Sequence, residues 1–295
     1  MNIIAPPKPY SQLHEDSVLT RIRRQLRRLC RHGRFLMRPA VKMIDEVQWR
    51  AATQGYIFIA RLSPEENRRL RLIASDFLSR KNIYGAAGFT VTESMHIQIA
   101  AQACMLILEL GTDAYDGWTD IIIYPAQFRP RREFTDAAGV VHTSNAVLSG
   151  EAWLGGPVVL SYADIAKASD PSFNTTAHNV VIHEFAHKLD MRNGNANGFP
   201  PLHRGMRESV WKQAFMRAYL DFCERTDHAH AQAHLDGGAA LHSLPIDPYA
   251  SENPAEFFAV ISESFFSAPE AVAKAYPEVY TQLVSFYRQD PAARH

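Results

Sequence analysis

The stretch NVVIHEFAHKLDMRNG, residues 179 to 194, constrains the fold of this chain more strongly than any other. Its apolar residues recur at i, i+3, i+4 and i+7, which is the period of a helix with one buried stripe. These residues are Ile182, Phe185, Ala186 and Leu189. His183 and His187 then lie one turn apart on a neighbouring face, with their Cβ atoms about 6 Å apart. The stretch therefore predicts an amphipathic helix that packs one face and presents two imidazoles on another.

Glu184, directly after the first histidine, indicates that this helix could carry a catalytic metal site. Two imidazoles at this spacing suit one zinc ion, which binds histidine nitrogens at about 2.0 to 2.1 Å. Glu184 would lie beside such an ion without binding it, where its carboxylate can take a proton from a water. This is the mechanism of the H-E-x-x-H pattern. The alternative is an ordinary helix whose histidines are satisfied at the surface.

A catalytic zinc usually has three protein ligands, and the third must come from elsewhere. Asp190 lies about 10 Å further along the helix axis than His183, so we interpret it as a carboxylate that orients a ligand histidine or an arginine. An exposed, solvated position is the alternative for Asp190. Glu256 and Glu263 lie seven residues apart on one face of a second predicted helix. Asn253 begins that helix, so Glu256 is also a capping-box candidate, and spacing alone leaves both glutamates open as the third ligand.

Composition narrows the class of protein. The 31 basic and 31 acidic residues leave no net charge, so the whole molecule has no net field that attracts nucleic acid, and an electrostatic partner must be recruited locally. The three cysteines lack CxxC spacing, which favours a reducing compartment and predicts a cytoplasmic location. The N-terminus lacks a secretory signal, and no run reaches the ~18 apolar residues that a membrane span needs. We therefore expect a cytoplasmic globular protein without a membrane span.

Two segments depart from this neutral background. Residues 21 to 34 hold seven arginines and no acid. We expect a solvated extension there, with an anionic partner as the alternative and direct nucleic-acid binding disfavoured. Residues 228 to 242 are rich in histidine, and we expect a flexible polar loop rather than a secondary metal site. These histidines are His228, His230, His234 and His242.

Local signals along the rest of the chain predict one α+β domain over residues 46 to 295, after a basic extension over residues 1 to 45. Ser63 as N-cap and Pro64 at the first helical position predict a helix to about residue 80. Another helix is expected to follow Thr92. Short β-branched runs in the middle of the chain predict strands, with a hairpin and a loop between them.

Several separated motifs, in order, resemble the Mlc titration factor A family of zinc peptidases. They are LELG, IIIYPAQF, SGEAWLGGPVVLSY, HEFAHKLDMRNG, DPYASENPAEFFAVISESFFSAPE and FYRQDP. The resemblance begins at about residue 46 and leaves the basic segment outside the shared pattern. It implies a mostly helical zincin fold with a small mixed sheet beside the active-site helix. We expect GPVVLSY, residues 156 to 162, to be the edge strand that pairs with an extended peptide substrate.

The resemblance also implies a site and a function. It maps the ligands of one zinc ion onto His183, His187 and Glu256, and the general base onto Glu184. Tyr249, which the sequence alone would place as a buried loop aromatic, maps onto a hydroxyl that stabilises the oxyanion. The implied functions are aminopeptidase-like cleavage and binding of the repressor Mlc, a DNA-binding protein. The rival interpretation is a regulator that binds the repressor and keeps a vestigial or structural zinc site.

Overall fold

The computed structural model describes residues 41–127, 132–135, 141–144, 150–168 and 178–294. The arginine-rich segment and nearly all of the predicted basic extension lie outside these residues. From Met43 onwards the chain forms one compact unit. Within the described residues, no helix is long and apolar enough to cross a membrane.

Most of the described chain is helical. The helices are α1 (Glu46–Thr53), α2 (Ile57–Ala60), α3 (Pro64–Arg80), α4 (Glu93–Leu106), α5 (Tyr162–Lys167), α6 (Val180–Asp190), α7 (Glu208–Asp236), α8 (Ala239–His242), α9 (Pro254–Ser267), α10 (Pro269–Ala275) and α11 (Pro277–Tyr287). Short 3₁₀ turns lie at Thr112–Tyr115, Met191–Asn193, Pro248–Ser251 and Pro291–Ala293. Helix α3 confirms the prediction from its first turn, because Ser63 and Glu66 form a reciprocal capping box and Pro64 takes the first position.

Four strands form a mixed sheet in the order β1 (Asn82–Gly85), β2 (Asp120–Tyr124), β6 (Val158–Ser161) and β5 (Gly150–Ala152). The first three strands in this order are parallel, and β5 runs antiparallel to β6. Two further strands, β3 (Arg132–Thr135) and β4 (Val141–Ser144), pair with each other as an antiparallel hairpin. The α+β class and the small mixed sheet are therefore as predicted, and so is a hairpin between the flanking strands.

The sheet order corrects the predicted edge strand. The strand in GPVVLSY is β6, and it pairs with β2 on one side and with β5 on the other. It is therefore an interior strand. Within the described residues, β5 pairs with β6 alone, so β5 is the edge on this side of the sheet and β1 is the edge on the other. The sequence of β5, Gly-Glu-Ala, carries no β-branched or aromatic residue, which explains why strand propensity did not reveal it.

Helix α6, the motif helix, lies in the core with the predicted stripe fully buried. Ile182, Phe185 and Ala186 are 0% exposed. The ring of Phe185 packs against Tyr115 and Trp118 at centroid distances of 5.1 Å and 5.7 Å. Helix α9 packs along α6, and strand β5 also contacts α6. These contacts bring residues that are far apart in sequence to one face of the motif helix.

The histidine-rich segment is helical, so the prediction of a flexible polar loop is wrong. Helix α7 runs through it to Asp236, and α8 follows after Gly237 and Gly238, which adopt left-handed φ angles of +64° and +88°. A face packed at helical spacing carries the helix into the first residues of this segment. The residues of this face are Phe222, Thr226 and Ala229. The exposed histidines are His228, His230 and His242.

Candidate metal centre

A cleft of about 670 Å³ lies beside the motif helix. Its walls are β5, α6, the loop after α6, the 3₁₀ turn Pro248–Ser251 and the first turn of α9. All five predicted site residues line it. They are His183, Glu184, His187, Tyr249 and Glu256.

Three atoms that could bind a metal ion, from two helices, meet in this cleft. Nε2 of His183 and Nε2 of His187 are 3.2 Å apart. Oε2 of Glu256 lies 2.9 Å from the first nitrogen and 3.3 Å from the second. A tetrahedral ion with ligand bonds of about 2.0 to 2.1 Å holds its donor atoms about 3.3 to 3.4 Å apart, which is close to these separations. Within the described residues, no other group of three His, Cys, Asp or Glu side chains converges in this way.

The electrostatics of the three side chains favour a positive charge where they meet. Although burial lowers the pKa of His183, the hydrogen bonds with Glu256 and Glu263 and the negative charges of nearby glutamates raise it well above its usual value. Burial raises the pKa of Glu256, but the hydrogen bonds with His183 and His187, together with the positive charges of these histidines, lower it further than burial raises it. A divalent cation supplies the same positive charge and accepts lone pairs from all three atoms. The residues present therefore fit a metal ion.

The orientation of His183 comes from the carboxylate of Glu263. Oε1 of Glu263 lies 2.7 Å from Nδ1 of His183, and its other oxygen accepts from the backbone NH of Asn179. Because a carboxylate only accepts, Nδ1 donates and Nε2 turns towards the cleft. Glu263 is 1% exposed and does not belong to the three-atom group. The two glutamates that spacing left open thus occupy different positions around one imidazole.

Helix capping fixes both helices that supply these side chains. The side chain of Asn179 accepts from the NH of Ile182 at the start of α6, and its amide donates to Gln102 at 2.8 Å. Asn253 accepts from the NH of Glu256 at the start of α9. Glu256 faces the imidazoles, and α9 lacks the reciprocal bond of a capping box. Gln102 was not among the predicted site residues, although a polar side chain inside an apolar helix is a signal for such a role.

Glu184 is buried beside the two imidazoles, and only 5% of it is exposed. Burial raises its pKa, while the nearby His183 and His187 oppose the rise. A carboxylate whose pKa is raised towards neutrality can both accept and return a proton at physiological pH.

Tyr249 lies at the rim of the cleft and is 47% exposed, so it is not the buried aromatic that the sequence alone suggested. Its ring centroid is 6.1 Å from that of His183. The 3₁₀ turn that carries it is fixed by Asp247, whose carboxylate accepts from the NH of Tyr249 at 2.9 Å. The hydroxyl thus belongs to a fixed turn on the wall of the cleft.

Asp190 has a different partner from the one predicted. It is fully buried, and its Oδ2 accepts from the backbone NH groups of Asn197 and Gly198, each at 2.7 Å. Its other oxygen has no hydrogen-bond partner among the described residues. Asp190 therefore holds the loop that lines the cleft, and it does not hydrogen-bond a ligand histidine or an arginine there.

Comparison with known proteins identifies the family. The family model of the glucose-regulated metallo-peptidase M90 matches residues 28 to 288. The chain belongs to this family. Proteins named Mlc titration factor A from Yersinia enterocolitica and Yersinia pestis are each 38% identical to it. The alignments span 258 and 259 residues, which are 87% of this chain and 90% and 89% of the relatives.

The family match confirms the resemblance and corrects its extent. It begins at residue 28, inside the arginine-rich segment, and not at about residue 46. The family pattern therefore includes part of the arginine-rich segment, which was expected to lie outside it.

Proposed function

We propose that this protein is a zinc-dependent peptidase with a zincin-like fold, cytoplasmic and aminopeptidase-like in its cleavage. The observation that carries the proposal is the convergence of His183, His187 and Glu256 beside Glu184 in an open cleft. Three protein ligands, rather than four, are typical of a catalytic zinc site. Membership of a metallo-peptidase family supports the same conclusion.

In the proposed mechanism, the protein's own groups move protons and stabilise charge. When bound, one zinc ion would lower the pKa of a water towards about 7 and polarise a carbonyl oxygen. Glu184 takes a proton from the attacking water and later delivers it to the leaving amine. Tyr249 donates a hydrogen bond to the oxyanion that develops on the scissile carbonyl. The raised pKa of Glu184 suits both proton transfers.

We propose that the peptide substrate pairs with β5. This strand lines the cleft and, within the described residues, pairs only with β6. Backbone pairing at a sheet edge binds an extended peptide through its main chain. It thereby places a scissile carbonyl along the wall that faces Glu184.

The test is the Glu184→Gln variant, assayed for bound zinc and for hydrolysis of short peptides. Because the three ligands remain, zinc content should equal that of the parent. Turnover should fall by about 100- to 10,000-fold, which is the usual contribution of a general base. Glu65→Gln, an exposed change on α3, is the matched control and should leave turnover unchanged. Turnover of Glu184→Gln near the parent rate would show that the assignment of the base is wrong.

A second candidate function is binding of an Mlc-type transcriptional repressor, which would link this protein to sugar uptake. It rests on the relatives named Mlc titration factor A. A purely regulatory protein with a vestigial zinc site is the alternative, but a structural site has no need for a base such as Glu184. A pull-down with immobilised repressor should retain both the parent and Glu184→Gln if binding is independent of catalysis. Failure of the parent to bind would remove this second function.

A further inference from the structure

Strand β5 begins with a glycine that packs directly against the proposed base. A Cβ atom added to Gly150 would lie 2.5 Å from Oε1, 2.6 Å from Cγ and 2.8 Å from Cδ of Glu184. All three distances are shorter than normal Cβ contacts. The φ angle of Gly150 is outside the left-handed region, so its backbone conformation does not require glycine. Glycine is required at position 150 because any larger side chain would overlap Glu184.

The other end of β5 is tied to the same helix by Lys188, one turn after Glu184. Its Nζ donates to the carbonyl oxygens of Trp153 at 2.6 Å and of Gly156 at 2.7 Å. Both carbonyls belong to the turn that joins β5 to β6. Lys188 is 4% exposed, so these bonds are shielded from water.

The two contacts together fix β5 along α6. Gly150 and Trp153 are about 10 Å apart along an extended strand, and Glu184 and Lys188 are about 6 Å apart along a helix. One contact limits how close the strand comes to the helix, and the other anchors its far end. The strand therefore has little freedom to slide or tilt over Glu184.

We propose that Gly150 and Lys188 are positioning residues that set the place of the Glu184 carboxylate relative to the β5 edge. This inference rests on the proposed peptidase function. A side chain at position 150 is most easily accommodated if Glu184 rotates away, because Oε1 is the end of a flexible side chain. That rotation moves the reacting carboxylate, so turnover suffers more than folding does.

The Gly150→Ala variant tests the first contact. We expect kcat to fall at least about tenfold, KM to change less than about twofold, and zinc content to stay at the parent level, since the carboxylate is misaligned while the ligands are untouched. A merely destabilising change would not produce this separation of kcat from KM. Parent-like kcat in Gly150→Ala would overturn the proposal, whereas a parent without peptidase activity would overturn the proposed function instead.

Thermal unfolding tests the contact independently of activity. Gly150→Ala should lower Tm in the parent background but much less in Glu184→Ala, which removes all three atoms that a Cβ would meet. Equal losses of Tm in both backgrounds would show that Glu184 does not cause the destabilisation by Gly150→Ala. This result would overturn the proposal for Gly150.

Lys188→Met tests the second contact, and the chain offers a matched control in Lys81. Nζ of Lys81 also donates to two backbone carbonyls, those of Tyr115 at 2.7 Å and Trp118 at 2.5 Å, but neither belongs to β5. Both variants should lower Tm. Lys188→Met should lower kcat at least about fivefold, while Lys81→Met keeps it within about twofold. Equal effects on kcat would mean that Lys188 acts through general stability, which would overturn its positioning role.

Discussion

Glu256 and Glu263 lie on one face of α9, seven residues apart, yet they contact opposite sides of the same imidazole. The Glu256 side chain is 18% exposed, and its Oε2 faces Nε2 of His183 and of His187. The Glu263 side chain is 1% exposed and holds Nδ1 of His183. Helix α9 begins at the cleft and continues into the core, so the two carboxylates differ in depth. Depth therefore decides which carboxylate faces both imidazoles and which one holds the far side of His183.

This comparison predicts the largest effect for Glu256→Ala. The variant loses one of three proposed ligands, so zinc affinity should fall by more than about 100-fold. Removing a residue that only hydrogen-bonds a ligand lowers metal affinity by at most about 100-fold. Metal competition titration measures this change. Because a bound metal stabilises only the folded state, a chelator should lower the Tm of the parent and leave that of Glu256→Ala unchanged.

Glu263→Gln should have an intermediate effect. The amide still fills the buried space but loses the charge that orients His183, so zinc affinity should fall by about 10- to 100-fold. The same titration measures it, with the exposed Glu278→Gln as the control. If Glu263→Gln lost more affinity than Glu256→Ala, the ligand role would pass to Glu263 and the comparison would be reversed.

Asn253→Ala should have the smallest effect of the three. It removes the acceptor of the NH groups of Ala255 and Glu256, which lie at 2.9 Å and 3.1 Å. Loss of an N-cap costs about 0.5 to 2 kcal/mol, and fraying of the first turn should weaken zinc binding by less than about tenfold. Urea unfolding and metal titration measure the two quantities. Asn253→Asp keeps a good cap and should behave like the parent; a defect as large as that of Asn253→Ala would show that capping is not the reason.

The sequence predicted the parts of this fold that depend on near neighbours. The stripe of α6 and the first turn of α3 both follow from spacings of three or four residues. His183, Glu184 and His187 share one helix, so their proximity needed no knowledge of the rest of the chain. Helical period and capping act over one or two turns, and a single sequence records them directly.

Predictions failed where packing between distant segments decides the outcome. Strand β6 was predicted to be an edge strand, but its place between β2 and β5 depends on the order of the whole sheet. The histidine-rich segment looked like a loop because its polar residues hide the packed face of α7. Asp190 was predicted to orient a ligand histidine or an arginine. Instead it accepts hydrogen bonds from the backbone of Asn197 and Gly198, in the loop that folds back after α6.

By itself, the sequence determined that one amphipathic helix presents two histidines and a glutamate. It also determined that an asparagine-capped helix downstream carries two carboxylates, and that the motifs of the chain resemble those of a peptidase family. Only the tertiary structure decided which carboxylate faces both imidazoles, and that Gly150 leaves space for Glu184. The physical reason is range. Spacing fixes which residues share a helix face, whereas the depth and separation of those faces are set by contacts between residues that are tens of positions apart.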